Sequence, residues 1–379
     1  CSGVLSKIES NKQINSRRRK VNMPLRISLV NNDFDFRYKD GIGKYAFELS
    51  NELARYNYNL FKLSLDDLRQ RKRNQKNILD DIFLTMKARK KLSQIPYQVL
   101  HLIKPETGYV LSNRTSKKPL IVTWHDLIRI HRLNGHLETN GIRNYSYEHY
   151  LKRSYSTADA IISVSIQTQL DITKWVRELG IYDQRKKLYV VNPGISKEFS
   201  EEEPWNGRRE DFIYVGKLKD PLPKLLKIFD GISRMLNSSK LHIFTPTENA
   251  IQLIQHEFDL HRYKFRSKVI LHFRSTTGEI RDVLRRAVAL LHPVEEEGFG
   301  STIIESLASG TPVILLRDAR ISPEVAKYCL MCEIEKIPDT CLKLYLEQTG
   351  VSTDILKYAR SFSYEKTARE IANIYETFV

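Results

Sequence analysis

The chain has 379 residues, 41% of them hydrophobic and 28% charged, which is too long for one core and too apolar for disorder, so two packed domains are expected. No apolar run approaches the roughly 18 residues of a membrane span, and no signal-peptide core is visible. A net charge of +16 implies an anionic partner without choosing among phosphate, lipid headgroup and nucleic acid.

Residues 1–22, including Ser16-Arg17-Arg18-Arg19-Lys20, are polar and basic and read as an arm preceding the first domain. Buried parallel strands are expected at Leu25 to Val30, Val99 to Ile103, Leu120 to Thr123, Ala160 to Val164 and Leu188 to Val191. Helix-length segments separate them, such as Tyr45, Leu49, Leu53 and Tyr56 at helical spacing. After the first strand comes Asp40-Gly41-Ile42-Gly43-Lys44-Tyr45, where Gly41 and Gly43 either form a tight strand-to-helix turn or let backbone approach a phosphate. Residues 62–91 carry ten Lys or Arg against four Asp, with Leu65, Leu68, Ile78, Ile82, Phe83 and Leu84 interleaved. That stretch is either a solvated helix face or a basic surface for anionic lipid. Val122-Thr123-Trp124-His125-Asp126-Leu127 ends a buried strand, where His125 is either a structural histidine or a functional one, with Asp126 either orienting the imidazole or capping a helix.

A polar stretch containing Glu201-Glu202-Glu203-Pro204 marks a linker at 196–207, between a first domain at 23–195 and a second at 208–363. Strand and helix then alternate again, with strands at Phe212 to Val215, Leu241 to Phe244, Val269 to Phe273, Ala287 to His292 and Pro312 to Leu316. The fold class is therefore α/β, two Rossmann-like doubly wound domains facing a central cleft, with ligands beyond the carboxyl ends of the strands. Strand 212–215 leads into Gly216-Lys217-Leu218-Lys219-Asp220, a glycine followed by cations. The most informative segment runs from His292 through Glu297-Gly298-Phe299-Gly300-Ser301 to Glu305 and Gly310-Thr311-Pro312. A buried strand ends, two glycines let the backbone turn, and a helix begins near Ser301 with free amides and a positive dipole end suited to a diphosphate. Cys329 and Cys332 form a lone C-x-x-C, read as half-buried thiols, and four cysteines, too few and too clustered for a disulfide scaffold, fit a reducing compartment.

The 297–305 segment resembles the Glu-Gly-Phe-Gly signature of the retaining GT-B glycosyltransferases of family four, with seven residues between the two glutamates. The Gly-Ile-Gly entry at 41–43, the Thr-x-His-Asp-Leu pattern at 123–127, the Ala158 to Ser165 segment and Phe362 to Ala368 are similar to the same family, so the resemblance runs from Met23 to Val379. It implies a nucleotide diphosphate sugar as donor, UDP- or GDP-linked, from which a hexosyl unit moves to a glycan or lipid-linked acceptor with retention and without metal or other cofactor. Glu305 would bind the ribose hydroxyls and Glu297 the transferred sugar. The backbone of Gly298, Phe299, Gly300 and Ser301 would hold sugar and diphosphate, with Gly41 and Gly43 approaching from the other domain. His125 would position the reactants. Where the family has Arg, this chain has Lys217, and either Lys219 or Lys224 would supply the second phosphate cation. In such proteins the C-terminal helix, here 364–379, crosses back onto the first domain. Asp33-Phe34-Asp35 is like the metal-binding Asp-x-Asp of the other glycosyltransferase fold, but its place directly after the first strand argues against that use. The implied setting is cytoplasmic, at an anionic membrane surface and without nucleic acid; a catalytically silent GT-B binder is the alternative.

Overall fold

The computed structural model describes residues 24–34, 41–68, 78–111, 118–135, 141–201 and 205–379. The basic arm of residues 1–22, Asp35, Asp40, residues 69–77 of the basic stretch and 202–204 of the linker lie outside them.

The first sheet is built from β1 (Leu25–Asn31), β2 (Tyr58–Ser64), β3 (Val99–Leu102), β4 (Leu120–Trp124), β5 (Ala160–Ser163) and β6 (Lys187–Val190). Its helices are α1 (Gly41–Leu53), α2 (Ile78–Gln94), α3 (Ile128–Gly135), α4 (Gly141–Thr157) and α5 (Ile166–Glu178). The second sheet contains β7 (Asp211–Val215), β8 (Leu241–Thr245), β9 (Val269–Phe273), β10 (Ala287–His292), β11 (Val313–Leu316) and β12 (Leu330–Cys332). Around it lie α6 (Leu222–Met235), α7 (Ala250–His261), α8 (Thr277–Arg286), α9 (Ser301–Ala308), α10 (Pro323–Ala326), α11 (Ile337–Glu347) and α12 (Thr353–Arg360), before the terminal α13 (Tyr364–Glu376).

Both sheets are parallel. The first runs β2-β1-β3-β4-β5-β6 and the second β12-β11-β10-β7-β8-β9. Each order reverses once, between β1 and β3 in the first sheet and between β7 and β10 in the second. At such a reversal neighbouring connections leave towards opposite faces and open a crevice at the carboxyl ends of the strands. The loops after β1 and β3, and those after β7 and β10, are the ones placed there. Strands β4, β5 and β10 are buried along their whole length, as apolar strands covered on both faces must be.

One helix joins the two halves. Ser363 accepts from the Lys366 amide to cap α13, and apolar side chains follow at 364, 368, 371, 372 and 375, which forms one helical stripe. That stripe packs with Tyr45, Leu49 and Leu53 of α1 and with Ile27 and Ile121 of the first sheet. At roughly 1.5–3 kcal/mol for each large apolar side chain, this burial is a substantial part of the first core. The two chain crossings meet in backbone contact: the Ile195 amide donates to Phe362 O at 3.2 Å, and a Cβ at Gly194 would lie 2.0 Å from the Tyr364 nitrogen. Part of the 196–207 stretch is packed as well, since Phe199 is buried in the second domain's core.

Some local readings differ from the sequence pattern. Helix α1 ends at Leu53, and Tyr56 stacks on Tyr58 beyond it. Gly41 and Gly43 lie in the first turn of α1 rather than in a loop before it. Cys329 and Cys332 are partly buried free thiols, and burial pushes Cys329 up to about 12, which suits neither metal nor redox chemistry.

Candidate active site in the interdomain cleft

β10 delivers a buried strand end at His292, and the loop that follows is pinned by its own backbone. The Arg320 amide donates to Glu295 O at 2.7 Å and the Glu297 amide to Arg320 O at 3.0 Å. Gly300 then takes φ of 90°, a left-handed conformation that costs a glycine nothing, and caps α9. The first intrahelical bond runs from the Ile303 amide to Gly300 O, so the Ser301 and Thr302 amides stand ahead of it at the positive end of the helix. Glu305 lies one turn in, buried to 7% exposure.

Gly298 has a different task from the tight turn its sequence suggests; its φ is not positive. A Cβ there would fall 1.9 Å from the carbonyl oxygen of His125, in the opposite domain. Ser165 Oγ at 2.5 Å and Thr168 Oγ1 at 3.2 Å both donate to Gly298 O. Ser165 meanwhile caps α5 by accepting from the Thr168 amide. The Glu-Gly-Phe-Gly loop is thus docked, backbone to backbone, on the strand ends of the first domain.

On the far wall His125 donates from Nε2 to Ile103 O at 2.9 Å. A carbonyl can only accept, so Nε2 carries a proton. The edge of Tyr45 rests 4.9 Å away. Beneath it His101 bridges Tyr375 OH at 2.6 Å and Thr123 Oγ1 at 2.7 Å, and burial, with the nearby His125, lowers its pKa to about 3. Asp126 does not orient the imidazole. It accepts from the Ile128 amide at 3.1 Å and caps α3, and burial followed by the charge of Glu106 raises it to about 6.

The cations are distributed unevenly. Lys44 Nζ lies 2.5 Å from Glu305 Oε1, so an ammonium from the first turn of α1 already occupies the carboxylate expected to bind ribose. Lys217 and Lys219 are exposed on the loop after β7, which Tyr214 holds by donating to Lys217 O at 2.6 Å. Burial, with Glu297 and Asp220 adding to it, pushes the Tyr214 phenol well up, which places Glu297 beside that loop. Lys224 stands on α6 and is ion-paired with Glu295. The structure therefore places Glu297, Gly298, Phe299, Gly300, Ser301 and Glu305 on one loop and the start of α9, with Gly298 against the His125 carbonyl and Lys44, next to Gly43, on Glu305. Gly41 has open space around it, and Lys224 is paired with Glu295, two residues before Glu297.

Sequence reasoning did not find a polar clasp at the cleft rim. Arg320 reaches Asp171 at 2.6 Å and Glu296 at 3.2 Å, and Glu296 also binds His131. The three ligand-type groups of His131, Asp171 and Glu296 lie within 4.8 Å of one another, but the Arg320 guanidinium already sits on both carboxylates. No spacing signals this set, because its members come from α3, α5 and two loops of the other domain.

Two facing Rossmann-like domains of this topology make a GT-B fold, shared with solved glycosyltransferase structures, and each domain carries a match to a glycosyltransferase family model. Residues 39–199 match the family described as Glycosyltransferase Family 4, and residues 196–328 match Glycosyl transferases group 1. Among solved structures the chain is similar to the sucrose-phosphate synthase of Thermosynechococcus elongatus, at 14% identity and a TM-score of 0.71, covering 93% of this chain and 98% of that one. It is also similar to WaaG, a glycosyltransferase involved in lipopolysaccharide biosynthesis, at 11% identity and a TM-score of 0.67, over 92% and 99% of the two chains. The N-terminal domain of the Candida albicans trehalose-6-phosphate phosphatase is similar at 12% and 0.68, over 96% and 99%. No curated protein matches the sequence.

Proposed function

We propose that this protein transfers a hexosyl unit, with retention and without a metal ion, from a UDP- or GDP-sugar to a glycan or lipid-linked acceptor. The observation that carries the reading is the α9 start: amides and a dipole end for a diphosphate, with Glu305 one turn in and Glu297 across from His125. Ribose hydroxyls would take Glu305 by displacing Lys44, whose ammonium then lies beside the phosphates. Lys217, with Lys219 or Lys224, and the Ser301 amide stabilise the charge that grows on the leaving diphosphate. As the bond from the anomeric carbon to phosphate breaks, the acceptor oxygen bonds to that carbon on the same face. The departing phosphate oxygen takes the acceptor's proton. His125 and Glu297 position the sugar for this step.

A UDP donor and a sugar acceptor are supported by two fold neighbours, S. aureus TarM and the pneumococcal O-GlcNAc transferase GtfA, both solved with UDP. Contact with an anionic membrane surface, from the cytoplasmic side, is supported by α2, where Phe83 and Met86 are more than half exposed beside Lys87, Lys90 and Lys91. No helix among the described residues is long and apolar enough to cross a membrane. The test is donor turnover by purified protein, with a chelator present, across UDP- and GDP-sugars. Glu305→Ala is expected to reduce kcat/KM by at least 100-fold and to weaken UDP or GDP binding while the thermal melt persists. Nucleotide-sugar binding with no turnover in the wild type would instead make the chain a silent binder.

A further inference from the structure

His292 closes β10 directly beneath the Glu-Gly-Phe-Gly loop, and it is 3% exposed. Neither ring nitrogen has a hydrogen-bond partner, although Nε2 lies 3.3 Å from Glu297 Oε1. A core histidine kept for packing normally satisfies at least one nitrogen, because an imidazole stripped of water without replacement destabilises the fold. Glu297 has room to reorient: its side chain is one-third exposed, while its amide is held by Arg320 O. Hydrogen bonds of this kind are commonly long in the empty site and shorten when ligand binds.

We propose that His292 is a positioning residue, donating from Nε2–H to Glu297 Oε1 and so fixing which oxygen of that carboxylate faces the transferred sugar. This deepens the proposed function and rests on it. His292 touches no substrate. It acts from behind the carboxylate, keeping it aimed, and the cost of its unpaired Nε2 is relieved when the sugar draws Glu297 into line. The nucleotide half of the site, at Glu305 and the start of α9, is independent of it.

The prediction separates sugar from nucleotide. With UDP-glucose and GDP-mannose as probes, His292→Phe should lower kcat at least 10-fold and raise the Kd of the accepted nucleotide sugar, leaving the Kd of UDP or GDP within twofold. His292→Gln, whose amide nitrogen reaches the position of Nε2, should restore most of the loss. Equal losses in the Phe and Gln variants, with wild-type melting temperatures, would overturn the proposal, as would a Phe variant with kcat within twofold of wild type. A second arm needs no substrate. In protein labelled with 15N-histidine, Glu297→Gln should move the His292 ring signals, identified by their loss in His292→Gln. Unmoved signals refute the contact whatever the activity. A wild type that turns over and binds neither probe family refutes the proposed function, while the ring signals still decide the contact.

Discussion

Asp126 sits where the first domain's strand end meets the second domain's acidic loop, and its carboxyl is raised to about 6 by burial and by the acids around it. Because the folded-state value exceeds that of an exposed Asp, the proton favours the fold. Its contribution is complete below about pH 4 and fades as pH rises through about 6. Asp126→Asn keeps an oxygen for the Ile128 amide and cannot ionise. The variant should therefore melt higher than wild type at pH 8, by on the order of 2 kcal/mol, and the gap should close by pH 4. Thermal melts across that range check it, and a gap independent of pH would refute the assignment. Lys44 shows the opposite residue-level device. Its ammonium pairs with Glu305, so the buried acid proposed to bind ribose has a charged partner.

The element that most constrains the site is the loop between β10 and α9. Gly298→Ala would push a methyl into the His125 carbonyl and force the two domain walls apart. The expected result is a fall of roughly 100-fold in kcat/KM from displaced reactants, with about 1–3 kcal/mol lost in stability. Steady-state kinetics with a parallel melt would show it; wild-type kinetics would mean that the loops do not need this approach. Ten strands were legible because each carries a short run of Val, Ile, Leu or other apolar residues, fully buried in the central strands and partly so in β6 and β9. Two were not. β2 carries Asn59 and Lys62 and is only partly buried at the sheet edge, and β12 is three residues long and mostly exposed, so neither shows the apolar run that marks a central strand. The donor loop was legible because glycine, acid and apolar helix stand in one contiguous stretch. The close approach at Gly298, the Lys44 to Glu305 pair and the Arg320 clasp were not, since each joins residues more than a hundred positions apart and depends on how the domains face one another.

At the scale of the molecule, partly exposed ion pairs span the two domains at the cleft rim. Arg320 ties Asp171 to Glu296, Glu296 binds His131, and Arg132 reaches Asp220 at 2.5 Å. Exposed pairs of this sort are weak and sensitive to salt, which suits a cleft that must open for each donor. Arg320→Ala should shift the protein towards open forms, seen as a larger radius of gyration in small-angle scattering and reversed by saturating nucleotide. An unchanged radius at low and high salt would show that the rim does not govern closure. The helix α13 has a consequence of another kind. Its apolar stripe fills the first domain's core, yet it is made after every strand of the second domain. During synthesis the first domain must therefore wait, its groove beside α1 uncovered, until the ribosome has produced the second domain and the helix after it. The two halves expressed separately would inherit the same problem, unless the segment from Tyr364 to Glu376 were supplied to the first.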